Sequence, residues 1–219
     1  MSLLRLLQLS DSTFPTGAYA FSDGLETLTQ RGQSPGGTVR SPADLTAFLA
    51  GQLTHGWGQQ DVPACALAWG ADAATLQDLD VLLDDLKLVR GPRDASTRIG
   101  SNLRRAATHL WPEVMAALPT TRHHATTFGA LAHALNVPRA DTVTAFVSGW
   151  LLGRATSATR LMKLGGLDAQ RCAAACETAA HDCIRFALNA SADDLCTFTP
   201  LLDLAASEQA TLESRLFQT

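Results

Sequence analysis

The sequence predicts an all-α protein: a single globular helical domain over residues 1–219, of about nine to ten helices, with central apolar helices surrounded by amphipathic ones. Three observations carry that expectation. Apolar residues recur every three to four positions through most of the chain, the spacing that gathers them on one face of a helix. Start and stop signals punctuate these runs, as at Ser41-Pro42-Ala43-Asp44 and Gly165-Gly166. No segment shows the period-two alternation or hairpin turn that strands need.

The opening stretch, Gln8 to Thr27, breaks the alanine- and leucine-rich pattern and holds the chain's only tyrosine. Pro15-Thr16-Gly17 is turn chemistry, flanked by Phe14, Tyr19 and Phe21, so an apolar cluster sits on irregular backbone. A helix is expected from about Phe21 to Arg31, ended by Gly32, and a Ser/Pro/Gly loop follows to Arg40. Ser41 caps the next helix, with Leu45, Phe48, Leu49 and Leu53 on one face, and Gly56 and Gly58 interrupt it. Asp61 and Pro63 can start a buried central helix through Cys65, Leu67 and Trp69. Thr75 caps a helix to about Leu88, Gly91-Pro92 ends it, and Arg93 to Leu110 forms another. A short helix at Glu113 to Leu118 precedes one over Thr121 to Leu135, closed by Asn136-Val137-Pro138. Ala140 to Met162 is apolar and spotted with Gly149 and Gly153, a face on which a second copy could pack. Leu167 to Asn189 reads as one alanine-rich helix, and Pro200 opens the last.

A charge of −4 with both signs interspersed gives no footprint for nucleic acid or an anionic membrane. Charged residues make up only 17%, which suggests surface covered by another subunit, and no apolar run approaches a membrane span. Five cysteines, an odd number, fit reduced thiols in a cytoplasmic protein. Cys172, Cys176 and Cys183 would fall within about 40° of one another on a single helix, but alanines surround them, and buried cysteine behaves as a small hydrophobe. His123, His124 and His133 lack the i, i+4 spacing of a metal clamp. Neither a nucleophile elbow nor a phosphate loop is present. Asp11, Asp23 and Glu26 read as caps of turns and helices. The ending Leu212 to Phe217 sets an arginine among apolar residues, suited either to docking or to packing on the protein's own core.

The run LLQLSDSTFPTGAYAFSDGLE resembles the N-terminal signature of the urease accessory protein F family. RIGSNLRR (Arg98 to Arg105), HHATTFGALAHAL (His123 to Leu135), the Gly149 to Gly166 neighbourhood and the terminal SRLFQT resemble later blocks in the same order. The resemblance implies a dimeric, non-enzymatic urease maturation factor with no cofactor or metal of its own. It would be a scaffold and regulator that couples a nickel-carrying GTPase and a second accessory protein to apo-urease for nickel insertion. It also implies a functional N-terminal loop (about 11–24) and a docking tail (about 207–219). Tyr19 and Arg215 match partner-surface positions, with Phe21, Ser22, Asp23, Glu26, Leu216 and Phe217 as neighbours. Two departures stand out: Gln209-Ala210 where family tails often carry His-Glu, and Lys163 where proline is common. The alternatives are a nickel-binding metallochaperone using His123, His124 or His133 at a dimer seam, and a helical enzyme of unknown substrate.

Overall fold

The computed structural model describes residues 2–30, 39–209, 212, 216 and 217. Among them the chain forms twelve α-helices: α1 (Ser2–Ser10), α2 (Leu25–Gln30), α3 (Pro42–His55), α4 (Trp57–Ala68), α5 (Ala73–Leu86), α6 (Arg90–Leu110), α7 (Pro112–Ala117), α8 (His124–Ala134), α9 (Arg139–Leu161), α10 (Gly166–Ala175), α11 (Glu177–Asn189) and α12 (Pro200–Glu208). A 3₁₀ turn covers Ala18–Ala20 and a second covers Ala192–Asp194. The fold is all-α, as the periodicity requires.

Helix α4 is the hub. Nine of its twelve residues are buried, and α3, α5, α8, α9 and α11 pack around it. Helix α8 crosses so closely that a β-carbon on Gly129 would lie 2.2 Å from the Cys65 carbonyl oxygen, a separation only glycine allows. The expected start at Asp61 and Pro63 is one and a half turns late, because Pro63 lies inside α4. A proline there frees the carbonyl four residues back. That carbonyl, on Gln59, accepts the Cys196 N–H at 3.2 Å, so a distant segment satisfies it.

Other boundaries shift for similar reasons. Pro92 sits in the first turn of α6, where N–H groups have no helical partner anyway, so Gly91-Pro92 lies within that helix. The Asp72 carboxylate, not Thr75, caps α5, accepting the Thr75 N–H at 2.9 Å. Asp23 (φ 50°) and Gly24 (φ 81°) are left-handed, which delays α2 to Leu25; the expected end at Arg31 and Gly32 lies outside the described residues.

The single helix expected over Leu167 to Asn189 is broken at Cys176 into α10 and α11. All five cysteines are free thiols. Cys172, Cys176 and Cys183 face α3 and the start of α4, donating weakly to the carbonyls of Pro42, Thr46 and Gly58 at 3.4, 3.6 and 3.3 Å. Burial pushes the Cys183 thiol up to about 12, so it stays protonated. Among the described residues no three His, Cys, Asp or Glu side chains come close enough to share an ion. Nor is any described helix long and apolar enough to cross a membrane.

Helix α9 packs widely within its own chain, while a β-carbon on Gly153 would meet nothing within 4 Å. Its contacts run to α1, α2, α3, α4, α8, α10 and α11 of the same chain, and Gly149 lies against the Ser10 carbonyl. Leu152 is the large apolar side chain α9 leaves exposed, while Leu3, Leu4 and Leu7 project together from α1, whose other face buries Leu6 and Leu9.

Candidate functional site

The opening loop is irregular backbone held from several sides. Asp11 accepts the Thr13 N–H at 2.7 Å, closing the turn after α1. Phe14 is buried and stacks parallel to Trp111, while Phe21 packs on Ala95 and Ile99 of α6. Gly17, with φ 74°, makes the turn before the 3₁₀ segment. From α6, Asn102 donates its side-chain amide to the Thr16 carbonyl at 2.9 Å. From α9, the buried Arg154 guanidinium donates to the Phe21 carbonyl and sets its Nε 3.1 Å from the Asp23 carboxylate. The Nε geometry is electrostatic rather than hydrogen-bonded, since that atom has no aligned acceptor among the described residues.

These anchors leave one large side chain outside. Tyr19 is 61% exposed at the loop's crest, and it lines the mouth of a cavity of about 190 Å³ together with Leu202, Asp203 and Ala206 of α12. Trp57, Phe146 and Trp150, stacked at centroid distances of 5.0 and 4.6 Å from Trp57, form its apolar wall. Its polar wall holds a buried ion pair, Lys87 with Asp61 at 2.6 Å. Burial pushes His124 down to about 4, with Arg154 and Lys87 adding to the shift, so it lines this space as a neutral imidazole. Burial also raises the Asp203 carboxyl.

The chain's end returns to the same side. Gln209 is buried and donates to Ser22 Oγ at 3.2 Å and to Glu26 Oε2 at 3.3 Å. The Leu216 N–H meets Glu26 Oε1 at 2.6 Å, and the Phe217 N–H meets Oε2 at 3.2 Å. Phe217 is buried, whereas Leu216 is 65% exposed. The site residues taken from the sequence therefore divide. Tyr19 and Leu216 reach solvent, and Asp23 is half-buried against Arg154. Phe21, Ser22, Glu26 and Phe217 are buried. Arg215 and Ala210 lie outside the described residues. The expectation that Glu26 caps a helix is corrected: its carboxylate accepts the Leu216 and Phe217 N–H groups of the tail. Sequence reasoning missed Asn102 and Arg154; the only signal for the latter was a lone arginine in a run of small residues.

Of the three histidines singled out by the sequence, His123 is built into the interior and His133 is exposed. His123 is fully buried, with Nδ1 3.0 Å from Ser96 Oγ and Nε2 3.1 Å from Asp84 Oδ1, so both ring nitrogens are engaged. The His123 ring could reach a dimer seam only by unpacking. His133 lies edge-on to Trp69, away from the other two. The hydroxyl–imidazole–carboxylate chain of Ser96, His123 and Asp84 suggests hydrolase chemistry. Ser96, however, lies within α6, where backbone N–H groups are engaged in the helix rather than turned toward a developing oxyanion.

The UreF family model matches residues 39–177, well over half of the chain. Similar relatives include the urease accessory protein UreF of Actinobacillus pleuropneumoniae serotype 3 (strain JL03), 30% identical over 98% of this chain and 97% of the relative. That of Rhodopseudomonas palustris (strain BisA53) is 30% identical over 100% of this chain and 93% of the relative. That of Jannaschia sp. (strain CCS1) is 34% identical over 99% and 94%. With the opening signature and tail brought together on an all-α frame, and with relatives matching end to end, the chain belongs to the UreF family of urease accessory proteins.

Proposed function

We propose that this protein is a non-enzymatic scaffold of urease maturation in the cytoplasm. It holds a nickel-carrying GTPase and a second accessory protein on apo-urease and regulates the GTPase during nickel insertion. The carrying observation is the loop. An exposed aromatic, Tyr19, stands on backbone fastened by Asn102, Phe21 and Arg154, so little conformational entropy is lost when a partner engages it. Self-association belongs to the same reading, and the leucine face of α1 is the surface that supports it.

Alanine at Tyr19 and, separately, at Arg215 tests the reading. Each variant should weaken binding of the second accessory protein by about 2 kcal/mol, roughly thirtyfold, with the melting temperature nearly unchanged. Affinity undiminished in both variants would refute it.

A further inference from the structure

Glu26 is a carboxylate at 0% exposure, and its partners among the described residues are amide donors rather than cations. A buried carboxylate is tolerable only while hydrogen-bond donors surround it. Its two oxygens take successive backbone N–H groups, those of Leu216 and Phe217, while Gln209 bridges Glu26 to Ser22 at the end of the opening loop. Successive main-chain N–H groups converging on one anion form a concavity that recognises charge, not side-chain identity.

We infer that Glu26 is a latch for the C-terminal tail: a positioning residue that holds residues 216 and 217 by their backbone and thereby fixes which tail side chains face out. With both N–H groups pinned, Phe217 is turned into the protein and Leu216 out of it. The same carboxylate, through Gln209 and Ser22, ties the tail to the loop that carries Tyr19. Glu26 thus acts on the docking surface without belonging to it, a consequence that rests on the reading proposed above.

Hydrogen exchange on the full chain, with no partner present, tests the latch in wild type, Glu26→Gln and Leu216→Pro. The first variant removes the charge, and the second removes one N–H donor from a residue outside the core. Both should raise exchange tenfold or more in peptides covering residues 209–219, with peptides from α4 and α8 unchanged. Wild-type exchange in the tail of both variants would overturn the inference; should Glu26→Gln not fold, Leu216→Pro decides alone through the Phe217 amide. Binding of the second accessory protein then separates the two readings. Both variants should weaken it about tenfold, and the double variant no further than the worse single one, because both break the same latch. A released tail with undiminished affinity would leave the latch standing and refute the docking role.

Discussion

Helix α8 begins without a cap of its own, since the His123 side chain makes no bond to its first turn. Asp80, on α5 and 4% exposed, ties down the chain entering that helix from outside. Its carboxylate accepts the Arg122 N–H at 2.8 Å, the His123 N–H at 3.1 Å and the Thr126 hydroxyl at 2.6 Å, and its charge lies at the positive end of the helix dipole. Replacing Asp80 by alanine deletes three charge-assisted hydrogen bonds, each worth about 1.5–3 kcal/mol. Relief of the carboxylate's own desolvation offsets part of that loss, leaving a net destabilisation of about 3–4 kcal/mol. For a domain of this size each kcal/mol moves the midpoint by about 2–4 °C, so Asp80→Ala should melt about 6–16 °C lower. Asp80→Asn keeps one acceptor and should lose about half as much. Asp78→Ala, exposed on the same helix, should stay within about 0.5 kcal/mol of wild type. Circular dichroism at 222 nm measures all three. An Asp80→Ala midpoint within 2 °C of wild type would show that α8 does not depend on this anchor.

Stability should also depend on pH through His124. Its pKa of about 4 in the folded state lies below the ordinary 6.5 of the unfolded chain, so on acidification the unfolded state takes the proton first. The contribution is fully present above pH 6.5 and is lost as pH falls toward 4, about 3 kcal/mol in all. His124→Phe, which keeps the aromatic contacts with Phe128 and Phe146, should flatten urea-unfolding stability across that window; equal slopes in the two proteins would contradict it. For self-association, Leu4→Glu places a charge in the exposed leucine face of α1. Sedimentation at tens of micromolar should show wild-type dimer and variant monomer, and a wild-type monomer would count against the dimer.

The helices were legible because each rests on local spacing: Leu45, Leu49 and Leu53 are all fully buried on the face their period assigns. The boundary at Pro63 was misread because its deciding partner is remote in sequence. Pro63 signals a helix start in any local window, and only the Cys196 N–H on the Gln59 carbonyl explains why the helix runs through it. The same holds at the site. Aromatic and turn residues marked the opening loop as special, yet its anchors, Asn102 and Arg154, sit 86 and 133 residues from the carbonyls they bind. The role of Glu26 was illegible because its partners are backbone N–H groups, which every residue but proline carries.

That distinction changes how sequence signatures in such a chain are to be read. A motif that gathers Tyr19, Phe21, Ser22, Asp23 and Glu26 within eight positions invites treatment as one contact surface, but the side chains take different work. Tyr19 meets solvent, Asp23 faces Arg154, and Phe21, Ser22 and Glu26 point inward to α6 and the tail. The left-handed pair Asp23-Gly24 makes this partition possible by turning the chain sharply between the loop and α2. A β-carbon on Gly24 would also press on the end of the Leu202 side chain at 2.7 Å, so the residue that permits the turn packs directly under α12. Loop exposure, α12 packing and tail capture are therefore consequences of one local conformation, and a change at Gly24 should disturb all three together.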